Sequence, residues 1–230
     1  MMDYLYEGFT NAFVLLFQGH DETYDAIYTT VRASSLSIFF SLLVGLPLGF
    51  FMGHYDFPGK KNLRAVVDTL LALPTVVVGL LVYAFITRRG PFGDMDLLFN
   101  VSGIVVGQFI LVIPVVISLT ASGIESLDER LHPTLVTLGA GKNRIIVSTL
   151  YEARFAIMTA AVTAYGRAIS EVGVSMMVGG NIKWHTRTIT TAITLETGKG
   201  EFAMGIALGI VLLLLGFTVN WVLIFFRKRA

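Results

Sequence analysis

The sequence predicts an all-α integral membrane protein with five transmembrane helices, and three observations carry that prediction. Of its 230 residues, 54% are hydrophobic and only 14% are charged, whereas soluble domains carry about 25% charged residues. Its mean hydropathy is +0.73. Four long stretches contain no Asp, Glu, Lys or Arg, at residues 33–53, 69–87, 97–124 and 202–226. Each supplies the roughly 20 residues that a helix needs to cross the hydrocarbon core.

The fifth predicted span, residues 155–178, is apolar but contains Arg167 and Glu171. Charges at membrane depth are costly and normally face protein or water. Because these two residues are four apart, a continuous helix would place them on one face. The functional interpretation is a charged wall beside a translocation pathway. The structural interpretation, an internal ion pair that only orients the helix, stays equally open at this point.

The N-terminal region predicts a helix lying on the membrane surface, since residues 5–18 are apolar but too short to cross. We therefore assign residues 1–25 to an extracytoplasmic segment and residues 26–230 to the membrane domain. The first 31 residues contain five acidic and no Lys or Arg side chains. The positive-inside rule then predicts a multi-pass protein of the cytoplasmic membrane with its N-terminus outside and its C-terminus inside. The basic residues at 183–199 oppose this orientation.

Several functions are excluded by what the sequence lacks. A net charge of +1 argues against nucleic acid as a partner, and the absence of Cys removes thiolate chemistry. The four His are scattered, so no metal-ligand spacing is present. The nearest match to a nucleotide-binding P-loop has Asn143 where Ser or Thr is needed. We therefore expect a non-catalytic chain without a cofactor, in which any ATP-Mg is bound by a partner.

Prolines and hydroxyl residues suggest a pathway. Pro47, Pro74 and Pro114 fall within predicted spans and would bend them, providing hinges or a cavity. Residues 186–195 are rich in Thr and too short to cross, so they predict a short half-inserted helix at the outer side. Its N-terminal N–H groups and hydroxyls would suit an oxyanion, although a Thr-rich surface turn is the alternative.

The candidate pathway residues also include a serine stripe on the first span, whose hydroxyls alternatively bond to their own helix. The full set of pathway or gate candidates is Ser34, Ser37, Ser41, Pro74, Thr75, Arg167, Glu171, Thr188 and Thr191.

The long loop at residues 125–154 predicts a docking element on the inner side. Pro133 can open a short helix, and Gly139 with Gly141 can end it. Apolar residues persist through a segment that would otherwise be a plain polar loop. Such a helix, projecting from the membrane, has the shape needed to dock into a cytosolic partner. The candidate coupling residues are Thr134, Leu135, Thr137, Leu138, Gly139, Ala140, Gly141, Lys142 and Arg144.

Leu138-Gly139-Ala140, followed by a membrane span, resembles the coupling loop of ABC importer permeases. The stretches at 167–173, 179–182, 186–188 and 191–193 are similar to the molybdate/tungstate permeases, and residues 178–201 resemble the tungstate-specific branch most. Leu73-Pro74-Thr75 through Leu80 fits as well. The likeness covers residues 26–230. Of the family's coupling-loop pattern, Glu-Ala-Ala-x₃-Gly-x₉-Ile-x-Leu-Pro, only the glycine is kept, at Gly139.

The resemblance implies a type I ABC importer permease in a lipid bilayer. It implies a homodimer enclosing the pathway, two cytosolic ABC ATPases that bind ATP-Mg, and an extracytoplasmic binding protein that delivers an oxyanion. Tungstate is the expected substrate, with molybdate or sulfate as alternatives. An ion-gradient-driven secondary transporter is the alternative of another class; such proteins show internal repeats and broken helices, neither of which the sequence predicts.

Overall fold

The computed structural model describes residues 6–8, 10–11, 13–14 and 20–229. Half of the predicted surface helix at 5–18 lies outside the described residues, and its described residues, 6–8, 10–11 and 13–14, are helical. In the described part of the chain the regular structure is helical, with one 3₁₀ turn at Gly93–Met95. The helices are α1 Asp21–His54, α2 Lys60–Leu71, α3 Thr75–Ile86, α4 Val101–Glu125, α5 Leu131–Thr137, α6 Lys142–Glu152, α7 Arg154–Ile169, α8 Gly173–Gly179, α9 Ile189–Gly198 and α10 Phe202–Arg229.

The long helices α1, α4 and α10 are each long and apolar enough to cross a membrane. Two bent pairs, α2 with α3 at 98° and α6 with α7 at 59°, raise the number of crossing segments to as many as five. The all-α membrane architecture predicted from the sequence is therefore confirmed.

Two predicted spans are broken into two helices each. The bend predicted at Pro74 is present in the first, whereas the continuous helix that would place Arg167 and Glu171 on one face is absent from the second. The span at 69–87 breaks at residues 72–74, where Pro74 forms the N-cap of α3. Proline disfavours helical geometry in the residue before it, so the chain turns there. The span at 155–178 breaks at residues 170–172, between α7 and α8. Pro47 and Pro114, in contrast, lie within the continuous helices α1 and α4.

The core is built on close packing of α1 against α4. A Cβ atom added at Gly45 would lie 2.8 Å from Val116 Cγ1, and one at Gly49 would lie 2.7 Å from Thr120 Cβ. Both pairs have the same sequence offset, so the two helices run parallel in constant register. Small residues permit this approach, which maximises packing where no hydrophobic force drives helices together. Valines of α3, α4 and α8 complete the main core.

Polar groups gather at the two ends of the bundle. At the end that carries α5 and α6, which we call the coupling end, Glu125 accepts ion pairs from Lys60 at 3.3 Å and Arg64 at 3.2 Å. At the opposite end, Glu22 pairs with Lys183 at 2.6 Å and with Arg187. This segregation leaves an apolar belt between two charged layers, as a bilayer requires.

Candidate functional site

The coupling end carries a helical hairpin, residues 131–152, which we call the coupling hairpin. Its first helix, α5, contains Pro133 in the first turn, where a missing N–H is tolerated. Gly139 then adopts φ +76°, a left-handed conformation that ends the helix,. The Ala140 N–H donates to the Leu135 carbonyl at 3.0 Å. The sequence predicted one helix ended by glycine; the structure adds the second helix, α6, on which Lys142 and Arg144 lie.

The coupling hairpin exposes several large apolar side chains among polar ones. Leu138 has 77% of its surface accessible, and Val136, Val147 and Tyr151 are exposed as well. Exposed apolar groups at a polar end of a membrane protein indicate an interaction surface. Most of the predicted coupling residues are exposed here, Leu135 and Ala140 being partly buried. Their role in binding a partner stays a prediction.

The hairpin is joined firmly to the membrane helices. Ile146 and Leu150 of α6 pack against the cluster formed by Phe50, Ile124 and Ala153. Only Ala153 separates α6 from α7, and its N–H continues the helical bonding to Thr149 at 2.9 Å. A displacement of the hairpin therefore reaches α7 without an intervening flexible loop.

The opposite end holds the segment at residues 186–191, which we call the threonine segment. The Thr188 and Thr191 side chains form a capping box at the start of α9. The Thr190 hydroxyl donates to the Glu171 carbonyl at 2.9 Å, and the Ile189 N–H donates to the Thr30 hydroxyl at 2.9 Å. The predicted short helix exists, but Thr188 and Thr191 are buried within the chain and their hydroxyls are engaged.

Arg167 and Glu171 do not form the ion pair that the sequence suggested. Because α7 ends at Ile169, Glu171 lies in the break and not one turn further along the same helix. Glu171 is 5% exposed, and its carboxylate caps α8 by accepting a hydrogen bond from the Val174 N–H at 2.9 Å. The Nε atom of Arg167 is buried, and no described residue accepts a hydrogen bond from it.

The serine stripe is interior to the chain. Ser34, Ser37 and Ser41 are 0% exposed, on the α1 face that continues toward Gly45 and Gly49. Their hydroxyls have no hydrogen-bond partner among the residues described, so the predicted bonds to their own helix are absent. In the single chain they contact neighbouring helices and not an open surface.

The two helix breaks meet. A Cβ atom added at Gly173, the first residue of α8, would lie 2.7 Å from the Thr75 hydroxyl and 2.9 Å from the Val76 N atom of α3. Sequence reasoning identified Pro74 and Thr75 but missed Gly173 and Thr30, because a single Gly or Thr in a span carries no distinct signal. Within the described ranges, no three His, Asp or Glu side chains come together as a metal site.

A bundle of bent apolar helices with a projecting hairpin at one end places the chain in the class of helical membrane proteins. The chain belongs to the family described as binding-protein-dependent transport system inner membrane component, which its residues 45–230 match. The family predicted from the sequence is thereby confirmed.

Relatives share most of the chain. It is 46% identical to the tungstate uptake system permease protein TupB of Campylobacter jejuni, over 96% of this chain and 92% of that protein. It is 39% identical to TupB of Peptoclostridium acidaminophilum, over 96% and 97%. Identity to the molybdenum transport system permease protein ModB of Escherichia coli K12 is 30%, over 91% and 97%.

Solved structures share the fold. The MetNI methionine ABC transporter in an inward-facing conformation superposes with a TM-score of 0.74 at 17% identity, over 90% of this chain and 95% of that chain. A bacterial alginate ABC transporter, in complex with its pentasaccharide-bound periplasmic protein, gives a TM-score of 0.77 at 18% identity, over 99% and 87%. The predicted ABC importer permease fold is confirmed.

Proposed function

We propose that this chain is the membrane subunit of an ATP-driven tungstate importer. Two copies would enclose the pathway, two cytosolic ABC ATPases would bind ATP-Mg, and an extracytoplasmic binding protein would deliver the oxyanion. The chain itself performs no chemical step. The observation that carries the proposal is the exposed apolar surface of the coupling hairpin, centred on Leu138, in a chain that contains no nucleotide-binding loop of its own.

The mechanism follows from how the coupling hairpin is attached. Closure of the ATPases on ATP would draw the two hairpins together. Since α6 continues into α7 through Ala153 alone, this motion is passed to the membrane helices. The breaks at 72–74 and 170–172 allow the half-helices to tilt, so access alternates between the two sides. Two discrete packings of rigid elements are the usual basis of such transitions.

The orientation follows from the same assignment. Docking of cytosolic ATPases requires the coupling end to face the cytoplasm, which puts the start of α1 and the Glu22–Lys183 pair outside. This agrees with the distribution of basic residues near the span ends.

Tungstate is favoured over molybdate because the relatives named for tungstate are the more similar ones.

The two broken spans remove one argument against an ion-gradient-driven transporter, because broken helices near mid-membrane are a feature of that class. Family membership and the exposed coupling hairpin favour the ATP-driven reading.

Reconstitution tests the proposal. The permease, its ATPase and its binding protein in vesicles are expected to accumulate labelled tungstate only with ATP. Unlabelled tungstate should compete better than molybdate, and sulfate least. Equal competition by sulfate would overturn the substrate assignment, whereas uptake that ignores ATP would overturn the importer assignment.

A further inference from the structure

One face of α7 differs from the exposed surfaces of the long helices α1 and α10. After Phe155, the exposed residues of this helix and of the residue that follows it are Thr159, Thr163, Gly166 and Ser170. Their spacing of three or four places them in one line along the helix. We call these four residues the α7 face.

The exposed surfaces of α1 and α10 have the opposite character. They present large apolar side chains such as Phe39, Leu43, Leu213 and Phe217, which suit contact with lipid. Hydroxyl groups and a bare glycine backbone gain nothing from lipid, and polar groups within the hydrocarbon core face protein or water. The α7 face therefore requires a different environment from the faces of α1 and α10.

Arg167 lies at the edge of the α7 face and supplies an independent observation. It is about 80° around the helix from the centre of the face, between the exposed line and the buried side formed by Ala164 and Ala168. Its Nε atom is buried and finds no acceptor in the described part of the chain, and no carboxylate there forms an ion pair with it. A guanidinium at membrane depth that has no protein partner normally donates its hydrogen bonds to water or to an anion.

The hydroxyls of the face divide into two kinds. Thr159 donates its proton to the Phe155 carbonyl at 2.9 Å, and Ser170 donates to the Gly166 carbonyl at 2.9 Å. Their oxygens can then only accept further bonds, which suits water. The Thr163 hydroxyl has no partner among the described residues, so its proton is free to donate. Thr163 precedes Arg167 by one helical turn, so both donors are neighbours.

We propose that the α7 face lines the hydrated part of the translocation pathway between the two copies, and that Thr163 and Arg167 donate hydrogen bonds to the passing oxyanion. This rests on the proposed function for the identity of the anion. Because α7 follows directly from the coupling hairpin, the motion that ATP drives would reposition this same face.

The natural absence of Cys from this chain allows a direct test, since any introduced Cys is the sole thiol of the permease and labelling is followed on the permease band. T159C, T163C and S170C are compared with L213C and F217C of α10, in membranes containing the assembled importer. A charged, water-soluble thiol reagent is applied with and without tungstate. The cysteine thiolate is the nucleophile that attacks the reagent, and an apolar setting disfavours the thiolate, so the α7 variants should react about tenfold faster or more than the α10 controls.

Tungstate should slow the reaction of T163C more than that of T159C. In uptake, T163S should retain transport and T163V should raise the tungstate concentration for half-maximal rate. T218V, which removes an exposed threonine hydroxyl from α10, should change it little. If the α7 variants reacted as slowly as the α10 controls, the α7 face would contact lipid. If T163C formed a disulfide between the two copies and was not labelled, the α7 face would be a dry contact between the copies. Either result overturns the proposal, and labelling that tungstate does not alter overturns the assignment of Thr163. If the unmodified protein showed no ATP-driven tungstate uptake, the proposed function would be refuted, whatever the labelling pattern.

Discussion

The coupling hairpin and the threonine segment are both short helical pieces at the ends of the bundle, and they use similar residues in opposite ways. In the coupling hairpin, Leu138 is exposed and Gly139 turns the chain with few contacts. In the threonine segment, Thr188 and Thr191 are buried and bonded to each other and to the helix they begin. Burial, which sequence alone does not show, therefore distinguishes the coupling hairpin, a surface for a partner, from the threonine segment, a structural anchor.

The largest expected effect is on the coupling hairpin. Leu138→Asp places a charge at the centre of the exposed apolar surface and should weaken ATPase binding about 30-fold, as expected for a central anchor worth about 2 kcal/mol. Binding of the purified ATPase to the permease measures it. Met95→Asp makes the same change at an exposed site at the opposite end and should leave ATPase binding unchanged. An equal loss of ATPase binding in both variants would show that the exposed surface around Leu138 is not a specific docking surface.

Arg167→Gln tests the region between the two ends. Removing one charge-assisted donor should lower tungstate uptake about tenfold, while ATPase binding stays as in the unmodified protein. Arg167→Lys keeps the charge and should recover part of the uptake. If ATPase binding fell more than uptake, Arg167 would have a structural role in supporting the coupling hairpin.

Gly139 and Gly141 form a matched pair in the turn of the hairpin. Gly139 has φ +76°, whereas Gly141 has φ −70°, and a Cβ at either would meet nothing within 4 Å. Gly139→Ala therefore adds only backbone strain, about 1 kcal/mol, and should lower coupled uptake about fivefold. Gly141→Ala should transport normally. Normal uptake by both variants would show that the turn geometry does not matter for coupling.

The smallest effect on transport is expected in the threonine segment. Thr188→Val removes the capping box and should lower the stability of the folded permease by about 1 kcal/mol, seen as earlier thermal unfolding in detergent. Uptake per folded molecule should stay within about twofold of normal, since the hydroxyl caps a helix. Thr188→Ser retains the cap and should unfold normally. A large loss of uptake with normal stability would return Thr188 to the pathway.

The membrane helices and the turn at Gly139 were predictable because apolar length and glycine have strong local signals. The breaks were not, since Pro47 and Pro114 lie inside spans that remain continuous while Pro74 begins a new helix. The break at 170–172 is stabilised by the Glu171 carboxylate, which accepts a hydrogen bond from the Val174 N–H three residues on. The spacing of four from Arg167 suggested an ion pair instead.

Within the candidate pathway, the sequence identified Arg167 but not the line of hydroxyls beside it. Thr159 and Thr163 look like ordinary helix residues until their exposure is known. The serine stripe was predicted as a polar surface, but packing of α1 against α4 buries it, a consequence of long-range contacts that a single helix pattern does not contain.

The most direct test of the central claim is to supply the energy source separately. The permease alone in vesicles, given a proton or sodium gradient, is expected to accumulate no tungstate. Adding its ATPase, its binding protein and ATP should produce uptake, and Leu138→Asp should lower that uptake strongly when the ATPase is not in large excess. Accumulation by the permease alone under an ion gradient would contradict the account.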